Sequence, residues 1–247
     1  MNFLDHLQPS CALFLDFDGS LVDIAAQPEA VVVPPDLVRT LAGLQQILGG
    51  ALAVVSGRPI AQIDAFLAPL HLPVAGEHGA ERRDSAGHST LLPALPLQRV
   101  EEAAQALARA YPALRVETKR GSVALHYRQA PELEALCVST LQAAVDDSPG
   151  LALLAGKMVA EAKPGNIGKG RAIEAFLREP PFQGRLPLFV GDDVTDEAGF
   201  TVVQSWGGMG FKVGEGSTTA GSRLPSPAVL RRDLTQALAL HGGRSSA

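Results

Sequence analysis

Cys11-Ala12-Leu13-Phe14-Leu15-Asp16-Phe17-Asp18-Gly19-Ser20-Leu21 is an apolar run of strand length that ends in two carboxylates one residue apart and a glycine. Residues two apart on a strand point to the same side, so Asp16 and Asp18 can converge where the strand stops. Carboxylates about 4 Å apart repel by roughly 4 kcal/mol at an effective dielectric of about 20. Either one of them holds a proton or a cation sits between them. Gly19 permits a tight turn and brings its amide close to whatever binds there.

Similar apolar runs recur along the chain. Residues 51–55 lead into Ser56-Gly57-Arg58-Pro59, residues 73–75 into Gly76-Glu77-His78-Gly79, and residues 186–190 into Gly191-Asp192-Asp193-Val194-Thr195-Asp196-Glu197. Residues 209–213 offer a last strand. Helical patterns separate them: 36–48, with Asp36 as cap and Gly49-Gly50 as stop; a helix started by Pro59 and ending near Leu67; one reaching Leu177; one from Glu197, capped by Thr195 or Asp196; and one over 228–240. Strands apolar on both faces, alternating with helices, predict an α/β fold with a doubly wound, mostly parallel sheet. Ligands of such sheets collect beyond the carboxyl ends of the strands, the edge that holds Asp16, Asp18 and Ser56.

The texture changes between Leu97 and Glu161. A helix to Tyr111, a hairpin over 114–128, a helix over 132–145 and a hairpin over 151–161 predict an inserted α+β domain. The expected division is a core of residues 1–94 and 163–247 and an inserted domain of residues 95–162. Polar and apolar residues alternate in these hairpins, so one sheet face would be wet and open to a ligand.

A net charge of −5 on 247 residues leaves no electrostatic footprint for nucleic acid. Arg82-Arg83 and Arg231-Arg232 are expected on solvated faces. Cys11 and Cys137 suggest core packing rather than a disulfide framework. No apolar stretch is long enough to span a membrane, and the first residues lack the features of a signal peptide, so a reduced cytoplasm is expected. Lys163 to Gly170 is not a P-loop, because glycine is missing at Lys163 and a hydroxyl at Gly170. Gly208-Met209-Gly210 fails as a dinucleotide fingerprint, because Val213 stands where the third glycine belongs.

One edge of the sheet thus receives Asp16, Asp18, Ser56, Lys169, Asp192, Asp193 and Asp196. So many carboxylates in one cleft repel without a metal, and oxygen-only ligands select a hard cation, best Mg²⁺. A lysine and a hydroxyl facing that ion suit a phosphoryl group. A carboxylate can itself be the nucleophile, with the second of the D-x-D pair, protonated, serving the leaving oxygen.

Asp16-Phe17-Asp18-Gly19-Ser20-Leu21, Ser56-Gly57-Arg58, Lys169-Gly170 and residues 191–197 resemble the four motifs of haloacid dehalogenase (HAD) superfamily phosphatases. Within that superfamily the chain is similar to the trehalose-6-phosphate phosphatases. That likeness extends to Gly76-Glu77-His78-Gly79-Ala80-Glu81, Glu117-x-Lys119, His126-Tyr127-Arg128, and Lys157 with Glu161-Ala162-Lys163-Pro164.

The resemblance implies Asp16 as nucleophile, Asp18 as general acid/base, and Ser56 and Lys169 as holders of the phosphoryl group. It implies Mg²⁺ on Asp16, the Asp18 carbonyl and Asp192, with Asp193 and Asp196 as supports. Substrate contacts would come from Asp16, Asp18, Gly19, Arg58 and His78 and, in the inserted cap, from Glu117, Lys119, Arg128, Lys157 and Glu161. Two positions depart from the family pattern, Ser20 for threonine and Gly168 before Lys169; in another register Lys163 would be the phosphate lysine.

The implied activity is Mg²⁺-dependent hydrolysis of trehalose 6-phosphate through an aspartyl-phosphate, with a small sugar phosphate as partner and neither nucleic acid nor membrane. Sucrose 6-phosphate and mannosyl-glycerate phosphate are alternative substrates; a phosphomutase and a non-catalytic sugar-phosphate sensor are the other readings.

Overall fold

The computed structural model of the chain describes residues 3–25, 27–92, 95–118, 121–156, 158–165 and 167–242. The chain divides into two units, Met1–Leu91 with Gly168–Ala247, and Leu92–Ile167. The first unit opens with α1 (Phe3–His6), β1 (Cys11–Leu15), α2 (Leu37–Ile47), β2 (Leu52–Val55), α3 (Ile60–Leu67), β3 (Val74–Gly76), β4 (Glu81–Arg83) and β5 (Ser89–Leu91). The second unit holds α4 (Gln98–Ala110), β6 (Arg115–Thr118), β7 (Val123–His126), α5 (Glu134–Asp146), β8 (Leu151–Gly156) and β9 (Val159–Pro164). The chain then returns to the first with α6 (Lys169–Leu177), β10 (Leu186–Gly191), α7 (Glu197–Ser205), β11 (Met209–Val213), β12 (Ser222–Leu224) and α8 (Pro227–Gly242).

The larger sheet runs β12-β11-β10-β1-β2-β3-β4-β5. It is parallel from β12 to β3, and β4 and β5 extend it antiparallel. Every residue of β1 and β2 is buried, which is why they are apolar throughout. Phe14 stacks on Phe182 at 5.3 Å between centroids, and Phe176 closes the cluster. Each such side chain taken out of water contributes roughly 1.5–3 kcal/mol.

The outer strands β4, β5 and β12 carry no apolar periodicity, so nothing in the sequence marks them. Arg82 and Arg83 are not on a solvated face as expected. Arg83 holds Asp64 through two bonds of 2.6 Å and also the Leu72 carbonyl, and Arg82 pairs with Glu179 and lies over the Phe176 ring. Arg231 likewise donates to the Leu21 carbonyl and to Asp23.

The second unit is a four-stranded antiparallel sheet, β6-β7-β9-β8. Val123, Leu125, Ala160 and Ala162 pack with Val100, Ala104, Cys137 and Leu141 of α4 and α5. Glu117, Ala124 and Glu161 are register partners across β6, β7 and β9, so they share the opposite, polar face. Among the described residues no helix is long and apolar enough to cross a membrane.

Candidate active site

The carboxyl ends of β1, β2 and β10 and the first residue of α6 bring the site residues of the first unit together. Asp16 follows β1 directly, and its amide donates to the Val190 carbonyl at 2.9 Å, which fixes the strand end against β10. Lys169 begins α6, and its ammonium donates at 2.7 Å to Asp16 Oδ1 and at 2.7 Å to Asp196 Oδ1. All three side chains are at most 5% exposed. Lys163, the lysine of the other register, lies on β9 in the second unit.

Two glycines make room for the carboxylates. Gly19 has φ +77°, and a Cβ there would fall 2.2 Å from Asp192 Oδ2. A Cβ on Gly191 would fall 2.4 Å from Asp196 Cγ. The turn after β10 is tied by a reciprocal box: the Asp193 side chain takes the Asp196 amide, and Asp196 Oδ2 takes the amides of Asp192 and Asp193 at 3.0 and 2.9 Å. The expected cap from Thr195 or Asp196 on α7 is thus replaced by a tighter arrangement one turn earlier.

One oxygen each of Asp16, Asp192 and Asp196 lies within 4.8 Å of the others. Burial, more than anything else, pushes Asp192 up to about 6, and the Asp196 charge adds to it. Burial also raises Asp16 well above the usual carboxylate range; Lys169 opposes that, while Asp196 and Asp192 add to it. For Lys169 burial works downward, but the two carboxylates outweigh it and hold the ammonium well above its ordinary value.

This donor set fits a hard divalent cation. Both oxygens of Asp196 already accept bonds from Lys169 and two amides, so Asp196 suits support, while Asp16 and Asp192 keep oxygens to offer.

Asp18 lies at the same edge, but its carboxylate is gripped by Arg58 through bonds of 2.6 and 2.7 Å. The guanidinium is 5.1 Å from the Phe66 ring centroid and 6.0 Å from that of Phe17, and it also reaches Gln62. Arg58, expected as a sugar contact, is therefore engaged with the neighbouring site residue. Ser56 is buried, and its hydroxyl accepts from the Arg58 amide at 3.1 Å.

Residues 76–79 hold this loop in place: Glu77 N donates to the Arg58 carbonyl, His78 N to the Ser56 carbonyl, and the His78 ring occupies the space a Cβ on Gly57 would need. Glu77 and His78 both have positive φ, 47° and 57°. Such strain persists where surroundings over-determine it.

In the second unit Glu117 meets His126 Nε2 at 2.9 Å, and buried Glu161 accepts from Ser122 at 2.5 Å. Arg128 is an exposed turn residue beyond β7. Lys119 and Lys157 lie outside the described residues. Sequence reasoning missed the Asp18–Arg58 fork and Lys212, a buried lysine of β11 that donates to the Asp192 carbonyl. A lone lysine inside the apolar run Met209-Gly210-Phe211-Lys212-Val213 was the available signal for the latter.

Residues 14–228 match the family model described as trehalose-phosphatase. The chain is 43% identical over 221 residues to the trehalose-6-phosphate phosphatase of Escherichia coli (strain K12), covering 89% of this chain and 83% of that protein. Among solved structures it is similar to the C-terminal domain of C. albicans trehalose-6-phosphate phosphatase, with TM-score 0.84, 21% identity, and 96% and 95% of the two chains covered. A phosphatase of the haloalkanoate (HAD) superfamily from Bacteroides thetaiotaomicron superposes with TM-score 0.64 at 15% identity over 98% of each chain. At these identities the two structures speak for the fold alone.

Proposed function

The chain belongs to the trehalose-phosphatase family, phosphatases that hydrolyse a phosphoric monoester, and we propose that it converts trehalose 6-phosphate to trehalose and phosphate with Mg²⁺. In this reading an Asp16 carboxylate oxygen attacks phosphorus, the bond from phosphorus to the sugar oxygen breaks, and Asp18 donates the proton that oxygen needs. Asp18 then takes a proton from the water that attacks the phosphoryl group on Asp16, which frees phosphate and restores both carboxyl groups. To do so Asp18 must exchange the Arg58 fork for the leaving oxygen.

Lys169 and the Ser56 hydroxyl stabilise the negative phosphoryl oxygens as the bond order shifts. Mg²⁺, held by Asp16, Asp192 and the Asp18 carbonyl, would supply further neutralisation of that charge. Glu117, Glu161 and Arg128, with Lys119 and Lys157, would read the sugar hydroxyls, since charged groups hydrogen-bond hydroxyls strongly where water is excluded.

The observation that carries the reading is the buried Asp16–Lys169–Asp196 contact with Asp192 beside it. A panel of sugar phosphates tests it. Phosphate release from trehalose 6-phosphate with Mg²⁺, abolished by EDTA, is expected. Faster release from sucrose 6-phosphate or mannosyl-glycerate phosphate would move the substrate, and full activity in EDTA would remove the metal.

A further inference from the structure

Lys212 stands on β11 between Phe211 and Val213, in register with Gly191 of β10 and Arg223 of β12, and is 5% exposed. A buried ammonium normally answers a carboxylate, because desolvation of a charge is costly. The Glu197 carboxylate is near enough to feel the Lys212 charge, but among the described residues the ammonium donates its hydrogen bond to a carbonyl, the oxygen of Asp192. The amide on the other side of that same peptide unit, Asp193 N, donates to Asp196 Oδ2 at 2.9 Å. The peptide joining Asp192 to Asp193 is therefore held at both ends, by Lys212 at the oxygen and by Asp196 at the nitrogen. Holding it fixes the Cα–Cβ direction of Asp192, the residue whose carboxylate must converge with that of Asp16.

We propose that Lys212 is a positioning residue that orients Asp192 for the divalent cation by pinning its carbonyl. The proposal rests on the metal reading above and deepens it. Positioning and charge act in opposite directions here, which makes the two separable. A fixed positive charge beside a cation site weakens cation binding, so removing it would tighten binding. Removing the pin lets the Asp192 peptide rotate and loosens binding, and groups that orient ligands typically matter by 10–100-fold in metal affinity.

The test is equilibrium titration of the substrate-free chain with Mn²⁺, followed by electron paramagnetic resonance, for wild type, Lys212→Met and Lys212→Gln. The expected result is a Mn²⁺ dissociation constant raised by about tenfold or more in the uncharged variants, with an unchanged circular dichroism spectrum. On an aryl phosphate the metal concentration for half-maximal rate should rise in step, while kcat at saturating metal stays within about threefold of wild type. Unchanged or tighter Mn²⁺ binding in a folded variant overturns the proposal while leaving the metal reading intact. Failure of both variants to fold would assign Lys212 to folding and overturn it too. If wild type itself binds no Mn²⁺, the metal reading falls first and takes the proposal with it.

Discussion

The Lys169 ammonium lies 2.7 Å from the carboxylate of Asp16, a residue 153 positions earlier in the chain, and neither side chain is more than 5% exposed. An ion pair so buried is a poor source of stability, because stripping water from both groups costs several kcal/mol per ion. The second carboxylate on the same ammonium, Asp196, and the third beside it, Asp192, leave the group with excess negative charge. That excess is what a divalent cation can balance.

Lys169→Met should therefore damage both fold and chemistry. It leaves two buried carboxylates without their partner, a loss expected at about 3–5 kcal/mol in urea denaturation of the metal-free protein. The kcat should fall by about 10²–10³, the range seen when one stabilising donor is removed. A variant with wild-type stability and turnover would mean that Lys169 faces neither group.

The raised Asp192 makes metal-free stability depend on pH. Its unfolded value is 3.8 and its folded value about 6, so between these the native state holds a proton that the unfolded chain has released. Its contribution is complete below the unfolded value and is lost as pH rises through about 6. In EDTA, the Tm difference between wild type and Asp192→Asn should therefore move against wild type from about pH 4 to 7. Mg²⁺, which competes with that proton, should stabilise wild type more at pH 8 than at pH 5. A difference that is flat in EDTA, or one that moves in favour of wild type, contradicts this.

Much of this site was legible in the sequence because its parts sit on strong local signals. An all-apolar strand ending in Asp-x-Asp-Gly marks β1 and its turn, and a second apolar strand ending in Gly-Asp-Asp marks β10 and Asp192. What was not legible depends on register and on side-chain partners. The outer strands β4, β5 and β12 are three residues each and lack apolar alternation, so nothing local marks them. The fork between Asp18 and Arg58 joins residues 40 apart, and either could have pointed elsewhere. Arg82 and Arg83 looked like ordinary surface charges until the fold supplied Glu179 and Asp64 as partners.

Gly19→Ala tests the packing of the acidic cluster without removing a functional group. The new Cβ would meet Asp192 Oδ2 at 2.2 Å, and φ +77° is a conformation that alanine disfavours. Asp192 must move, so metal affinity measured by titration should drop. Backbone strain alone should lower stability by about 1–3 kcal/mol. A variant that binds metal and turns over as wild type does would show that Asp192 need not sit over Gly19.

Glu161→Ala separates sugar recognition from chemistry. Glu161 lies on the polar face of the second unit with Glu117, and none of the proposed phosphoryl chemistry involves it. The kcat/KM for trehalose 6-phosphate should fall by about tenfold or more, while that for a small aryl phosphate changes little. Equal losses on both substrates would remove the assignment.

Replacement of Asp16 by asparagine bears most directly on the account. Asparagine keeps the shape and an acceptor for Lys169 but lacks the carboxylate that would attack phosphorus. Phosphate release from trehalose 6-phosphate at saturating Mg²⁺ should drop to background, with the circular dichroism spectrum unchanged. Turnover within about tenfold of wild type, less than 1.4 kcal/mol of lost transition-state stabilisation, would place the nucleophile elsewhere and contradict the account.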